Sequence, residues 1–90
     1  MKLVFKPHTL EKLAEKHVVT EDEVREAIED ASLDIRRHRR RRNKQVRYVV
    51  IGKTIGSRFL RIVLEKVYDE FVVITAFDAS EADKKRYRGR

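Results

Sequence analysis

Ninety residues, 41% of them charged, carry 22 Lys and Arg against 15 Asp and Glu, a formal net charge of +7. With no cysteine, the chain has no disulfide, iron–sulfur cluster or thiolate zinc site, and its length suits one domain built on one sheet and a few helices. The opening lacks the apolar region of a signal peptide and no stretch approaches a membrane span, so the expectation is a soluble, cytoplasmic protein.

In chain order, Lys2–Lys6 reads as an edge or near-edge strand that Pro7 ends. A helix begins around Pro7–Thr9, where proline fits the first turn, and Leu10, Leu13, Ala14 and His17 recur at helical spacing along one stripe. Val18 and Val19 break it. Thr20-Glu21-Asp22-Glu23 is a capping box that opens a second helix, whose acids suit the positive end of its dipole. Val24, Ala27, Ile28 and Ala31 give this helix its own apolar stripe. Leu33–Arg37 reads either as a short strand or as the helix exit. Arg36–Arg42, with six arginines in seven residues, is too charged to pack and reads as a loop or hairpin tip.

The most structured signal is residues 46–77, a three-stranded antiparallel meander. Val46–Ile51 is the first of its strands, Phe59–Val67 the second and Phe71–Phe77 the third. Leu60, Ile62 and Leu64 point to one face; Phe59, Arg61, Val63 and Glu65 point to the other, because strand side chains alternate. The first face is expected to pack on the two helices near Leu13, Val24 and Ile28. The second is expected to meet solvent or a ligand. Ser80 and Asp83 then cap a short C-terminal helix, with Lys84, Lys85 and Arg86 in its later turns.

Charge is unevenly spread. Residues 9–32 hold eight acids against three bases, whereas residues 33–64 hold one acid against eleven bases. A basic sheet half beside an acidic helical half points to an anionic partner, nucleic acid first. Arg36, Arg37, Arg39, Arg40, Arg41, Arg42, Lys44 and Arg47 are the candidate nucleic-acid contacts. An arginine fork suits phosphate, and such a run supplies salt-dependent affinity for any polyanion; a solvated loop or a surface for an acidic protein is the bland alternative. Lys53, Arg58 and Arg61 flank one turn and one strand, where fixed cations could stabilise a phosphodiester transition state. Ordinary cross-strand pairing explains them as well. His8, His17 and His38 could each serve as a base, although a packed role is the default for each. Tyr87 reads as an anchor for the last helix, or as a phenol that acts in proton transfer or stacks on a base. No histidine pair has metal-ligand spacing, so no cofactor is expected.

These residues carry a resemblance. Gly52-Lys53-Thr54-Ile55-Gly56-Ser57-Arg58-Phe59-Leu60-Arg61-Ile62-Val63 looks like the G-(K/R)-T-x-x-G-x-x-L-x-V-V stretch of BrnT-type toxins, with one residue of slack in the turn. Ile74-Thr75-Ala76-Phe77-Asp78-Ala79-Ser80, then Asp83-Lys84 and Tyr87, is similar to their I-S-A-R-(K/R)-A-(S/T)-x-x-E-(R/K)-x-x-Y ending. Leu13-Ala14-Glu15-Lys16-His17 and Thr20-Glu21-Asp22-Glu23-Val24 resemble their L-x-K-H-G-(V/I)-(S/T)-x-E-E-A segment. The chain departs from the pattern at Val18, Phe77, Asp78 and Asp83. A related family of small uncharacterised domains has a similar layout, with a histidine where His8 stands.

The resemblance implies an α+β, RelE-like fold: an antiparallel sheet with two N-terminal helices on one face and a short C-terminal helix. It also implies a metal-independent ribonuclease toxin held in check by a small DNA-binding antitoxin. In that reading Lys53, Arg58 and Arg61 bind and stabilise the scissile phosphate of RNA, and His17 or Tyr87 moves the proton. The alternatives are a non-catalytic nucleic-acid-binding domain and a basic protein–protein module. A homo-oligomer is left open.

Overall fold

The computed structural model describes residues 2–39 and 46–89. Nine elements follow one another: β1 (Lys2–Val4), α1 (Pro7–Lys12), a π-helical turn (Leu13–His17), α2 (Glu21–Glu29), β2 (Asp34–Arg39), β3 (Val46–Lys53), β4 (Phe59–Val67), β5 (Glu70–Asp78) and α3 (Glu81–Arg88). The fold is α+β, with the five strands in one sheet in the order β1-β5-β4-β3-β2.

The expected meander is present as β3, β4 and β5, with antiparallel pairing throughout. Two expectations are corrected. The sheet is not purely antiparallel: β1 lies parallel to β5, in the register Lys2↔Glu70 to Val4↔Val72. Most of the chain serves as the crossover that parallel pairing requires. Of the two readings of Leu33–Arg37 the strand is present, so the arginine run begins not as a loop but in β2, which pairs antiparallel with β3. Charge does not prevent a strand here, because β3 supplies the ladder hydrogen bonds and an edge strand tolerates charged side chains. Arg40, Arg41, Arg42 and Lys44 lie outside the described residues.

The first face holds the core. Leu60, Ile62 and Leu64 are 0% exposed and pack in one cluster with Leu13, Val19, Val24, Ala27, Val50, Val73 and Ala76, while Ile28 and Leu33 close its margin. Each helix has a local cause. Pro7 stands in the first turn of α1. The π-helical turn widens the helix that α1 begins, so the expected stripe shifts: Thr9 and Leu13 are buried and Ala14 faces solvent. Val18 then stops it in the left-handed region, with φ 51°. The box that opens α2 is closed from both sides: Glu23 N–H donates to Thr20 Oγ1 at 3.1 Å and Thr20 N–H donates to Glu23 Oε1 at 3.1 Å. Against α2, Gly52 of β3 permits a close approach that no other residue allows. A Cβ there would stand 2.1 Å from the Ala27 carbonyl oxygen.

The second face is covered at one end. Ile51 and Val49 alternate with the core residue Val50 and are nevertheless buried, because α3 lies across the Ile51–Arg61 end of the sheet. Beyond α3 this face carries Arg47, Val63 and Glu65, all half-buried.

Candidate functional site

The β3–β4 turn, the link from the π-helical turn to α2, and the link from β5 to α3 meet at one end of the sheet. The turn is held by its own backbone: Thr54 N–H donates to the Arg58 carbonyl at 2.9 Å and Ser57 N–H to the Thr54 carbonyl at 2.9 Å. The buried Thr54 hydroxyl accepts from Arg58 N–H at 3.0 Å. Arg58 therefore leaves the turn in a fixed direction.

All three of its guanidinium nitrogens donate. Nε donates to Asp78 Oδ1 at 2.7 Å, Nη1 to the Val18 carbonyl at 2.7 Å and to both Glu23 oxygens at 3.2 Å, and Nη2 to the His17 carbonyl at 3.0 Å. The clamp thus joins β5, α2 and the end of the π-helical turn. The Arg58 hydrogen bond holds the Asp78 carboxyl below its ordinary range. Glu23 is also lowered, first by its backbone hydrogen bond from Thr20 and then by Arg58. The His17 ring is tilted against Phe77 at 5.6 Å between centroids.

Arg61 is committed in a similar way on the second face. Nη1 donates to Asp83 Oδ1 at 2.7 Å, while Asp83 Oδ2 accepts from Ser80 N–H at 3.1 Å. Asp83 is therefore both the capping residue of α3 and the counter-ion of Arg61. Burial raises the Asp83 carboxyl, but the Ser80 backbone hydrogen bond and Arg61 outweigh it and leave it lowered.

Beside this pair is a basic–aromatic cluster centred on Phe59. Lys53 Nζ and Lys84 Nζ each lie 5.9 Å from the ring centroid and Arg88 Cζ lies 5.5 Å away. The Tyr87 ring meets Phe59 edge-on at 5.2 Å. The Tyr87 hydroxyl donates to Asp30 Oδ2 at 2.7 Å, and the same carboxyl accepts from Lys53 N–H at 2.8 Å and Ser32 N–H at 3.0 Å. Burial pushes Asp30 up, and these hydrogen bonds together bring it below its usual value. Among the described residues Lys53 and Arg88 form no ion pair. Their charge remains available to an anion, and the ring beside them offers a surface on which a base can stack.

The sequence-derived candidates thus fall into two groups. Arg58 meets His17 through a backbone carbonyl; Lys53 and Tyr87 flank Phe59, and Arg61 holds the helix that supplies Tyr87. Phe59, Lys84 and Arg88 escaped the sequence reading. A signal was present, because Lys84, Tyr87 and Arg88 are spaced i, i+3, i+4 on one helical face and Phe59 shares the alternating face of Arg61.

Those candidate nucleic-acid contacts that are described stand on β2 and β3. Arg36 and Arg37 are exposed on this edge strand, Arg39 belongs to its backbone, and Arg47 is half-buried on β3. Arg36 Nε lies 3.5 Å from Asp34 Oδ2, and Arg47 Nη2 lies 3.4 Å from Glu65 Oε2. Among the described residues no group of three His, Cys, Asp or Glu is placed to hold a metal ion, and no helix is long and apolar enough to cross a membrane.

The family model described as domain of unknown function (DUF4258) matches residues 5–78. That is most of the chain, and the chain belongs to this family. No curated protein matches it. The matched segment covers α1, the π-helical turn, α2, strands β2 to β5 and the Arg58 clamp; it leaves out β1 and stops before α3, which brings Lys84, Tyr87 and Arg88 to Phe59.

Proposed function

We propose that this chain is an RNA-directed protein of toxin type: a RelE-like domain, similar to the BrnT toxins, that cleaves RNA without a metal and is neutralised by a small DNA-binding antitoxin. The observation that carries the reading is the Phe59 cluster. Three cations around one ring, with Tyr87 at its edge, form a surface on which a nucleotide base can stack while its phosphate meets positive charge. Strand cleavage then follows from the RNA itself. The 2′-oxygen attacks phosphorus, its proton passes to a base, and the 5′-oxygen leaves and takes up a proton. His17 is the candidate base and Tyr87, whose hydroxyl donates to Asp30 Oδ2 at 2.7 Å, the second choice. Lys53, on a rigid strand, supplies the charge that opposes the extra negative charge of the transition state. Arg58 and Arg61, both held by carboxylates, enter as positioning residues: Arg58 fixes the link that follows His17, and Arg61 fixes α3 over Phe59.

The test is cleavage of single-stranded RNA by the purified chain. Cleavage is expected to survive EDTA and leave a 2′,3′-cyclic phosphate, and Lys53→Ala is expected to slow it by about 10²–10³ with folding unchanged. Abolition by EDTA, equal cleavage of DNA, or full activity in Lys53→Ala defeats the mechanism. One observation favours the second reading, a non-catalytic RNA-binding domain: two of the proposed cations, Arg58 and Arg61, already have carboxylate partners at 2.7 Å. Salt-dependent RNA binding without cleavage selects that reading.

A further inference from the structure

Where α3 meets β2 and β3, the second face holds three arginines whose pairing is loose. Asp34 is buried, at 8% exposure. One of its oxygens, Oδ2, serves two cations, Arg36 Nε and Arg86 Nη2, each at 3.5 Å. Arg36 lies opposite Val49 in the β2–β3 ladder, and Arg47 lies opposite His38 two residues along. Arg36 and Arg47 are therefore diagonal neighbours on one face, within reach of each other's long side chains. Arg47 has its own single long contact, 3.4 Å to Glu65. Three guanidinium groups thus share two carboxylates. Among the described residues the Nε donors of Arg47 and Arg86 are buried and have no hydrogen-bond partner.

Buried donors without acceptors are rare in folded proteins and call for a partner. A guanidinium carries five donors, and the edge that includes Nε is one that forms a bidentate contact with an oxyanion. Side chains held by single contacts of 3.4–3.5 Å swing at little cost, which lets their Nε edges turn toward a ligand. A carboxylate on the ligand would supply two oxygens. A phosphate supplies more, matching the forks of Arg36, Arg47 and Arg86 on this one face. Asp34 keeps Arg36 and Arg86 gathered when the site is empty.

We propose that Arg36 and Arg86, held at Asp34, and Arg47, beside Arg36 on the same face, form a phosphate-binding site separate from the Phe59 cluster. The site stands on this geometry alone. Its carrier, a phosphodiester within RNA or a terminal phosphomonoester, rests on the RNA reading above.

The probe is inorganic phosphate titrated into the full chain, followed by the arginine Nε–Hε resonances in NMR, with chloride matched for ionic strength. Saturable shifts at Arg36, Arg47 and Arg86 that chloride does not reproduce are expected. Arg86→Lys and Arg36→Lys keep the charge and lose the fork, and each is expected to weaken phosphate binding about tenfold while the backbone amide spectrum stays folded; two variants are used so that one failing to fold leaves the other. Linear shifts identical in chloride and phosphate, shifts confined to Lys53 and Phe59, or unchanged affinity in both lysine variants overturn the site. Saturation by a glutamate-rich peptide at lower concentration than phosphate also overturns it and assigns the face to a protein. Oligoribonucleotides with and without a 5′-phosphate then separate the carriers: preference for the phosphorylated end identifies a phosphomonoester, and equal competition a phosphodiester. Phosphate binding with no competition from either oligonucleotide leaves the site standing and removes the RNA reading instead.

Discussion

Arg58 and Arg86 are almost equally accessible, with side chains 28% and 30% exposed, and the fold uses them in opposite ways. Arg58 reaches two carboxylates and two backbone carbonyls, all within 2.7–3.2 Å. Arg86 reaches one carboxylate oxygen at 3.5 Å and leaves Nε without an acceptor among the described residues. Exposure therefore does not tell a structural arginine from a receptive one; the number and length of its partners does. A guanidinium whose three nitrogens all donate within the fold cannot receive a phosphate without giving up some of those bonds. One with an idle edge can.

The largest effect sets the scale for this contrast. Ile62 is 0% exposed in the first-face core, and Ile62→Ala is expected to cost ~2–5 kcal/mol through lost burial and the cavity left behind. Chemical denaturation measures it. A loss on the order of 0.5 kcal/mol, typical of a surface position, would mean that the first face is not the one closed by apolar contact.

Arg58→Ala comes next. It strips acceptors on Asp78, Glu23, His17 and Val18 of their donor at once. The site is half-buried, so the expected cost is ~1–3 kcal/mol, below that of breaking a fully buried ion pair. The same variant should blunt acid sensitivity. Asp78 and Glu23 lie below their ordinary values of 3.8 and 4.5 in the fold. Their stabilisation is therefore complete above those values and is lost as pH falls through the lowered ones. Below about pH 4.5 the parent melting temperature should fall more steeply than that of Arg58→Ala. The difference should come mainly from Asp78, whose leading cause is Arg58, and stay modest because that side chain is 71% exposed. Parallel pH profiles would break the link between the clamp and these two acids.

What the sequence could show follows the same division between local and distant. The meander, the capping boxes at Thr20 and Ser80 and the core triad Leu60, Ile62 and Leu64 rest on spacings of two to four residues, so local pattern reveals them. For Leu33–Arg37 local pattern leaves strand and helix exit open, because Arg36 and Arg37 resemble a solvated loop; the ladder with β3 decides for the strand. Parallel β1 depends on β5, 68 residues away in the register Lys2↔Glu70. Of the candidate residues, Lys53, Arg58 and Arg61 are grouped by proximity along the chain. Their partners lie 20 to 41 residues from Arg58 and 22 from Arg61, a separation no motif encodes. Phe59 was within reach, since its face and the Lys84–Tyr87–Arg88 spacing are both local patterns.

The smallest expected effect tests the other side of the contrast. Arg86→Ala removes one 3.5 Å contact to Asp34 and a buried donor that satisfies nothing, so the loss and the relief oppose each other. Asp34 keeps Arg36 as a partner. The helix that carries Arg86 stays docked through the Arg61–Asp83 pair, the Tyr87–Asp30 hydrogen bond and the edge-on contact of Tyr87 with Phe59. The expected change is therefore within about 0.5 kcal/mol, read from the denaturant midpoint at neutral pH beside Arg58→Ala. Two arginines of equal exposure would then differ severalfold in what they contribute to folding. A cost for Arg86→Ala as large as that for Arg58→Ala would show that Arg86 is a second clamp, and the idle edge that makes it receptive to phosphate would have to be given up.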